Sequence, residues 1–325
     1  MSTAELNLPD LAAIRAARSR IASRVPATPT VAAHDLGESL GQPLYLKAEN
    51  LQVTGSFKAR GATNWLRMTD PAQRRRGLIT VSAGNHALAL AWAARHENIP
   101  VTVVMPKGSS PAKIEGTRRF GAEVIVRGDI REAVAHCHRL RESRGLSLVH
   151  PYDDPMVMAG QGTVGLEILE QVPNVERILC PVGGGGLISG IGLAVKALKP
   201  DVTLIGIEPD GAATLGNAWA HNDPGAALPA VNTIAASLAP VTAGRYTYAA
   251  SRRVVDAMVT VPDSAIVEAT RLLLTRGRLY GETGATVAIA ALLSGAVPVV
   301  PEITTLAVIT GGNMDISQCC DLLVS

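Results

Sequence analysis

Short β-branched runs alternate with longer helical patterns along most of this chain, and that alternation decides what it can fold into. LITV (78–81) precedes HALALAWAARHEN, VTVVM (101–105) precedes PAKIEGTRRF, and EVIV (123–126) precedes DIREAVAHCHRLRES. RILCPV (177–182) runs through glycines into LISGIGLAVKALK, and TLIGIE (203–208), AMVTV (257–261) and TTLAVI (304–309) complete the set. Strands that alternate with helices close into parallel sheets with helices on their faces. The expected fold class is α/β, with two open, mostly parallel sheets and flanking helices.

At 325 residues the chain is long enough for two domains, and a hydrophobic share of 47% supplies both cores. Residues 77–149 read as a small inserted βαβαβα domain. Residues 1–76 and 150–325 read as the larger domain, with a cleft between the two. The segment 209–245 is poorly periodic and reads as loops with short helices over that cleft.

A net charge of +2 gives no reason to expect nucleic acid or a membrane surface as a partner. With two Phe in the chain, an aromatic platform for single-stranded nucleic acid is not expected either. Cys137, Cys180, Cys319 and Cys320 form no C-x-x-C pair and read as reduced thiols. The N-terminal segment lacks the apolar core of a signal peptide and reads as an amphipathic helix opened by Pro9. No apolar stretch reaches the ~18 residues of a transmembrane helix. The expected location is the cytoplasm.

Four motifs carry chemistry. In AENLQVTGSFKARGATN (48–64) a strand enters a turn, and Ser56 or Thr54 is placed to cap a helix starting near Phe57. Lys58 falls in the first helical turn, where the helix dipole disfavours a cation. It is either a surface lysine reaching into solvent or a neutral amine kept for condensation with an aldehyde. Position alone leaves both open, and the neighbouring motifs favour the second.

In SAGNHALALAWAA (82–94) a strand-to-helix turn from Ser82 to His86 offers backbone N–H groups to an anion such as a substrate carboxylate. Asn85 either adds an amide to that site or merely caps the helix. In PVGGGGLISGIG (181–192) Gly183 to Gly186 follow a strand and precede a helix. Four consecutive glycines carry a large entropic cost, tolerated where N–H groups wrap a phosphate. The run matches neither G-x-G-x-x-G nor a Walker A loop, so dinucleotides and nucleoside triphosphates are excluded. In LAVITGGNMD (306–315) a buried strand ends at Thr310. Ligands in open α/β sheets sit beyond the carboxyl ends of strands, so Lys58, Asn85, the glycine run and Thr310 converge on one crevice. One lysine, one phosphate cradle and no metal cluster fit pyridoxal 5'-phosphate, with Thr310 as partner of the ring nitrogen.

These segments, with A-G-Q-G-T (159–163), resemble the fold-type II pyridoxal-phosphate enzymes, which share a tryptophan synthase β-like fold. The similarity is greatest to the threonine dehydratase and serine racemase branch, from about residue 10 to the C-terminus. The resemblance implies that Lys58 is the Schiff-base lysine, with Phe57 packed beside the ring. It implies that Asn85 bonds the ring hydroxyl, that Gly183, Gly184, Gly185, Gly186 and Leu187 hold the phosphate, and that Thr310 faces the ring nitrogen. Ser82, Ala83, Gly84, Asn85 and His86 would hold the substrate carboxylate. The implied activity is a dehydratase, or ammonia-lyase, that converts a 3-hydroxy amino acid, L-threonine or L-serine, to a 2-oxo acid and ammonia. The implied assembly is a homodimer or homotetramer.

Several positions depart from the family pattern. Ala83 replaces the serine that serves eukaryotic serine racemases as second acid/base, and alanine transfers no proton. The family's cation site maps to Glu208 and Ala212, but Thr214 stands where a further acid is expected. Relatives' T-I-A-D-G reads Thr233-Ile234-Ala235-Ala236-Ser237, and E-P-[ST] reads Glu282-Thr283-Gly284. Ala83 favours a dehydratase over a serine racemase, which stays as an alternative, and the Ala236-Ser237 change keeps a dehydratase for phenylserine or 3-hydroxyaspartate as another. Asp153-Asp154 reads as a turn, and His34 and His221 have no evident partner.

Overall fold

The computed structural model describes residues 6–324. Its strands are β1 (Thr30–Ala32), β2 (Leu44–Ala48), β3 (Leu78–Val81), β4 (Val101–Met105) and β5 (Glu123–Val126), then β6 (Ser147–Leu148), β7 (Arg177–Pro181), β8 (Thr203–Pro209), β9 (Ala257–Val261) and β10 (Thr305–Ile309). They form a six-stranded sheet in the order β1-β2-β10-β7-β8-β9 and a four-stranded sheet in the order β5-β4-β3-β6. Every pair is parallel except β1–β2. This is the expected α/β class.

Strands inside a parallel sheet are covered on both faces, so they read as unbroken apolar runs rather than alternations. β7 and β10 are buried at every position. Leu179, Ala307 and Ile309 face one apolar core, together with the helix Val287–Leu293. Ile178, Cys180, Leu306 and Val308 face the other, together with the helix Gly186–Leu198. The register sets Ala307 between Leu46 of β2 and Leu179 of β7.

Three helices meet at bare Cα atoms. A Cβ on Gly160, in the helix Pro155–Gln171, would lie 2.7 Å from the Arg60 carbonyl oxygen in the helix Lys58–Met68. A Cβ on Gly190, in the helix Gly186–Leu198, would lie 2.5 Å from the Met158 carbonyl oxygen. Only glycine permits this closeness, which fixes the Lys58 helix relative to the tetraglycine helix. The first helix, Leu11–Ile21, packs Ile14, Ala17 and Ile21 inward. Its cap is Asp10, which accepts from Ala13 N at 2.8 Å, so the helix starts at Leu11, two residues after the expected opening at Pro9.

A buried ionic cluster adds a second tie. The Arg60 guanidinium bonds Glu49 through Nε at 2.8 Å and Glu167 through Nη1 at 2.5 Å. Lys47 Nζ meets the same Glu167 at 2.7 Å. Two cations thus balance two carboxylates, joining the Lys58 helix to β2 and to Pro155–Gln171. Among the described residues no helix is long and apolar enough to cross a membrane.

Candidate active site

Lys58 is the first residue of its helix. Neither Ser56 nor Thr54 caps it: both hydroxyls are buried without a partner. Backbone holds the turn instead. Phe57 N–H donates to the Thr310 carbonyl at 3.1 Å, and Ser56 bridges Gly311. This pairing carries the end of β10, with Thr310, against the start of the Lys58 helix.

Lys58 Nζ donates to the Pro151 carbonyl at 2.7 Å and lies 4.9 Å from the centre of the Phe57 ring. Lys58 is half-buried, and its amine faces a cleft. Lost hydration lowers its pKa from 10.5 to about 8, against an opposing pull from the Glu282 carboxylate. Burial, rather than the helix dipole, is the main cause.

The cavity has a volume of about 590 Å³ and is lined by Phe57, Lys58, the turn Ser82–His86, Gly183–Leu187 and Thr310. All four sequence motifs therefore meet in one place. In a separate hollow of about 290 Å³, Arg18 is held by Glu170 and Lys199 by the Pro173 and Val175 carbonyls.

The glycine run has the features of an anion cradle. No backbone N–H from Gly183 through Ile188 donates to a described residue, whereas Ser189 N–H donates to the Gly185 carbonyl. Gly185 adopts φ +84° at the helix N-cap, a conformation side chains disfavour. The other glycines have a packing reason that the sequence did not reveal. A Cβ on Gly184 would collide with the Tyr152 ring, one on Gly186 would lie 3.0 Å from Tyr152 backbone, and one on Gly183 3.0 Å from Leu238 Cα. Loose N–H groups at a helix N-terminus, facing a cavity that holds the Lys58 amine, fit the phosphate of pyridoxal phosphate.

At the second turn Ser82 Oγ accepts from Gly84 N at 3.2 Å and from Ala87 N at 3.3 Å. Ser82 thus caps the helix Asn85–Arg95, and Asn85 is released from that task. The Asn85 amide oxygen accepts from Asn313 Nδ2 at 2.9 Å, and its nitrogen donates to Glu282 Oε1 at 2.5 Å. The second amide hydrogen remains for a ligand oxygen. His86 is buried and neutral: Nε2–H donates to the Val149 carbonyl at 3.2 Å, and burial lowers its pKa to about 3.

The residues at the implied cation site do not fit a divalent ion. Glu208 Oε1 accepts from Leu215 N at 2.7 Å and Oε2 from Gly216 N at 2.8 Å, so the carboxylate caps the helix Thr214–His221. Thr214 Oγ1 donates to the Pro240 carbonyl at 2.6 Å. Among the described residues no three His, Cys, Asp or Glu side chains gather as a metal set.

Sequence reasoning missed Tyr152 and Lys113 in the cavity lining, whereas Glu282 and the loop 236–242 lie in segments where the sequence had marked a departure or expected a loop over the cleft. Lys113 Nζ lies 3.6 Å from Glu282 Oε2. Asp153 lies in a bend, as a turn reading of Asp153-Asp154 expects, but the sequence did not reveal what the two carboxylates hold. Asp153 accepts from the backbone N–H of Arg245, Tyr246 and Thr247, whereas Asp154 accepts from Met156, Val157 and Trp65 Nε1. Each of these two adjacent residues caps a different helix. His221 Nδ1 meets the Asn217 carbonyl at 2.9 Å, a partner one turn away on its own helix.

A family model described as pyridoxal-phosphate dependent enzyme matches residues 21–311. The chain belongs to that family. Among similar pyridoxal-phosphate enzymes is an L-threonine ammonia-lyase of Geobacter sulfurreducens, 41% identical over 304 residues, covering 93% of this chain and 75% of the relative. A second L-threonine ammonia-lyase, from Thermotoga maritima, is 41% identical over 288 residues, covering 87% of this chain and 70% of the relative. The structure of maize serine racemase superposes with a TM-score of 0.90 at 34% identity, covering 97% of each chain. The processed form of threonine deaminase isoform 2 from Solanum lycopersicum superposes with a TM-score of 0.89 at 34% identity, covering 97% of this chain and 86% of that one. Within the family, the cofactor supplies the chemistry and the chain supplies grip and proton transfer.

Proposed function

We propose that the chain is an ammonia-lyase that converts a 3-hydroxy amino acid to a 2-oxo acid and ammonia, with L-threonine and L-serine as the first substrates to test. The observation that carries this reading is the meeting of the Lys58 amine, the loose N–H groups of Gly183–Ile188, Asn85 and Thr310 around one cavity. Lys58 would hold the cofactor, and the N–H groups of Gly183–Leu187 its phosphate. Asn85 would meet the ring hydroxyl, Thr310 the ring nitrogen, and Phe57 one edge. When bound, pyridoxal phosphate supplies an electron sink for charge developing at the substrate Cα.

The chain's own residues do the rest. The turn Ser82–His86 orients the substrate carboxylate. The Lys58 amine, partly neutral near its pKa of about 8, takes the Cα proton. Water leaves across Cα–Cβ and is returned when the product hydrolyses, so no oxidant is needed. Ala83 moves no proton, which supports elimination over the racemisation named for the maize relative. Loss of ammonia release and of the cofactor's visible absorbance together in Lys58→Ala is the expected result. Release of ammonia by that variant at the parental rate overturns the assignment, and chiral analysis of recovered L-serine tests for racemase activity.

In the same reading, residues 77–149 form a domain inserted into 1–76 and 150–325. The cysteines are free, which supports a reducing cytoplasmic setting. Leu51, Val53 and Ile316 expose apolar side chains near the contact of Gly55 with Gly312, which supports a homodimer or homotetramer. Light scattering on the purified protein tests that assembly.

A further inference from the structure

The turn that orients the substrate carboxylate carries no full charge of its own. Its side chains are those of Ser82, Ala83, Asn85 and His86, and burial keeps His86 neutral. Its backbone contributes N–H groups: those of Ala83, Asn85 and His86 donate to no described residue. Partial charges at a helix N-terminus attract an anion. A carboxylate that leaves water for a cleft gains more from a cation with hydrogens to donate.

Lys58, Lys113 and Arg131 are the lysine and arginine side chains in the cavity lining. Lys58 is taken by the cofactor. Arg131 is exposed on the helix Ile130–Arg144. Lys113 is the one that reaches the turn. A Cβ on Gly84 would lie 3.2 Å from Lys113 Cδ and 3.4 Å from its Nζ, so the bare Cα of Gly84 lets the ammonium lie across the loop.

The Lys113 side chain is 18% exposed, and its ammonium makes no hydrogen bond to a described residue. Glu282 Oε2 stands at 3.6 Å, and Glu282 Oε1 is already engaged by the Asn85 amide. The base of the side chain is fixed. Ser110 caps the helix Pro111–Arg119, accepting from Lys113 N at 3.4 Å and donating to Asp315 Oδ1 at 2.9 Å. A held base, a head with hydrogens still to donate and an ion contact too long for a hydrogen bond suit a cation that changes partner when an anion arrives.

We propose that Lys113 binds the substrate carboxylate, its ammonium turning from Glu282 to the anion seated on Ser82–His86 and so selecting amino acids over amines that lack a carboxylate. The inference rests on the carboxylate placement of the ammonia-lyase reading and adds to it a binding residue, through which no bond is made or broken.

The test is equilibrium binding of two amines to the cofactor-loaded protein, followed by visible absorbance. L-Alanine has a carboxylate and no leaving group, and L-alaninol has a hydroxymethyl group in place of the carboxylate. The ratio of their affinities isolates the carboxylate, because effects on the cofactor and on Lys58 are common to both. Lys113→Met keeps a hydrocarbon stem over Gly84 and is expected to lower that ratio about tenfold or more, as loss of a charged hydrogen bond does. Lys113→Arg keeps most of the ratio. Glu282→Gln, which frees the ammonium, leaves the ratio unchanged or raises it. In turnover of L-threonine, Lys113→Met raises KM about tenfold and changes kcat less than about threefold, because the contact is the same before and during the reaction. An unchanged ratio in Lys113→Met overturns the inference, and so does a fall seen in Arg131→Met alone. An equal fall in Lys113→Met and Glu282→Gln also overturns it and leaves the ion pair as a brace across the cleft. The ratio is read without turnover, so a protein that releases no ammonia refutes the ammonia-lyase reading alone.

Discussion

Tyr152 lays its ring against the bare Cα of Gly184, so closely that no Cβ fits between them. The contact presses the middle of the glycine run into place beside the cavity. Gly184→Ala must displace the ring or the run. The expected outcome is a loss of about tenfold or more in affinity for pyridoxal phosphate, equivalent to ~1.4 kcal/mol, in a titration followed by visible absorbance.

Lys58 leads to a pH prediction. Its pKa in the folded protein is lowered to about 8 from 10.5, so the neutral amine becomes abundant above about 8. The rate at which cofactor-free protein takes up pyridoxal phosphate should rise about tenfold per pH unit below that point and flatten above it. An amine in water would keep accelerating past pH 10. Glu282→Gln removes the charge that holds this pKa up, so the flattening moves to lower pH.

Removal of Arg60 tests the buried ionic cluster. Arg60→Met leaves Glu49 and Glu167 with one cation, Lys47, between them. The expected cost in unfolding free energy is about 3–5 kcal/mol, measured by denaturant titration. A variant that replaces all four charges, Lys47, Glu49 and Glu167 along with Arg60, with apolar residues of similar volume recovers much of that loss.

Glu208 bonds two N–H groups of the following helix, so activity and melting temperature should be indifferent to chelators and to added magnesium. Glu208→Ala lowers stability by about 1 kcal/mol, as loss of a helix cap does. Tight, stoichiometric binding of a divalent ion in calorimetry would contradict this account of the site.

The sheets and the cavity's main residues were legible in the sequence because their signals are local. LITV, VTVVM, EVIV and AMVTV became β3, β4, β5 and β9 residue for residue. β1 and β6 were missed because three and two residues hold no periodicity. What stayed hidden depends on contacts distant along the chain. The cap expected from Ser56 is replaced by Thr310, Asp153 finds its three N–H partners beyond residue 244, and Arg60 meets Glu167 across the helix pair. No spacing rule in the sequence records such meetings. Tyr152 and Lys113 belong to the same class, because their roles come from where other segments deliver them.

The two capping carboxylates have a mechanical consequence. After β6, Val149 still bonds Ile79 and Thr80 of β3, and the chain is then pinned at Asp153 and Asp154 to two helix ends, so only residues 150–152 link the four-stranded sheet to that anchor. If one sheet rocks against the other, this three-residue strap has to flex. The strap contains Pro151, whose carbonyl receives the Lys58 amine. Opening the cleft to admit an amino acid and loosening the grip on the lysine are thereby geared to one movement.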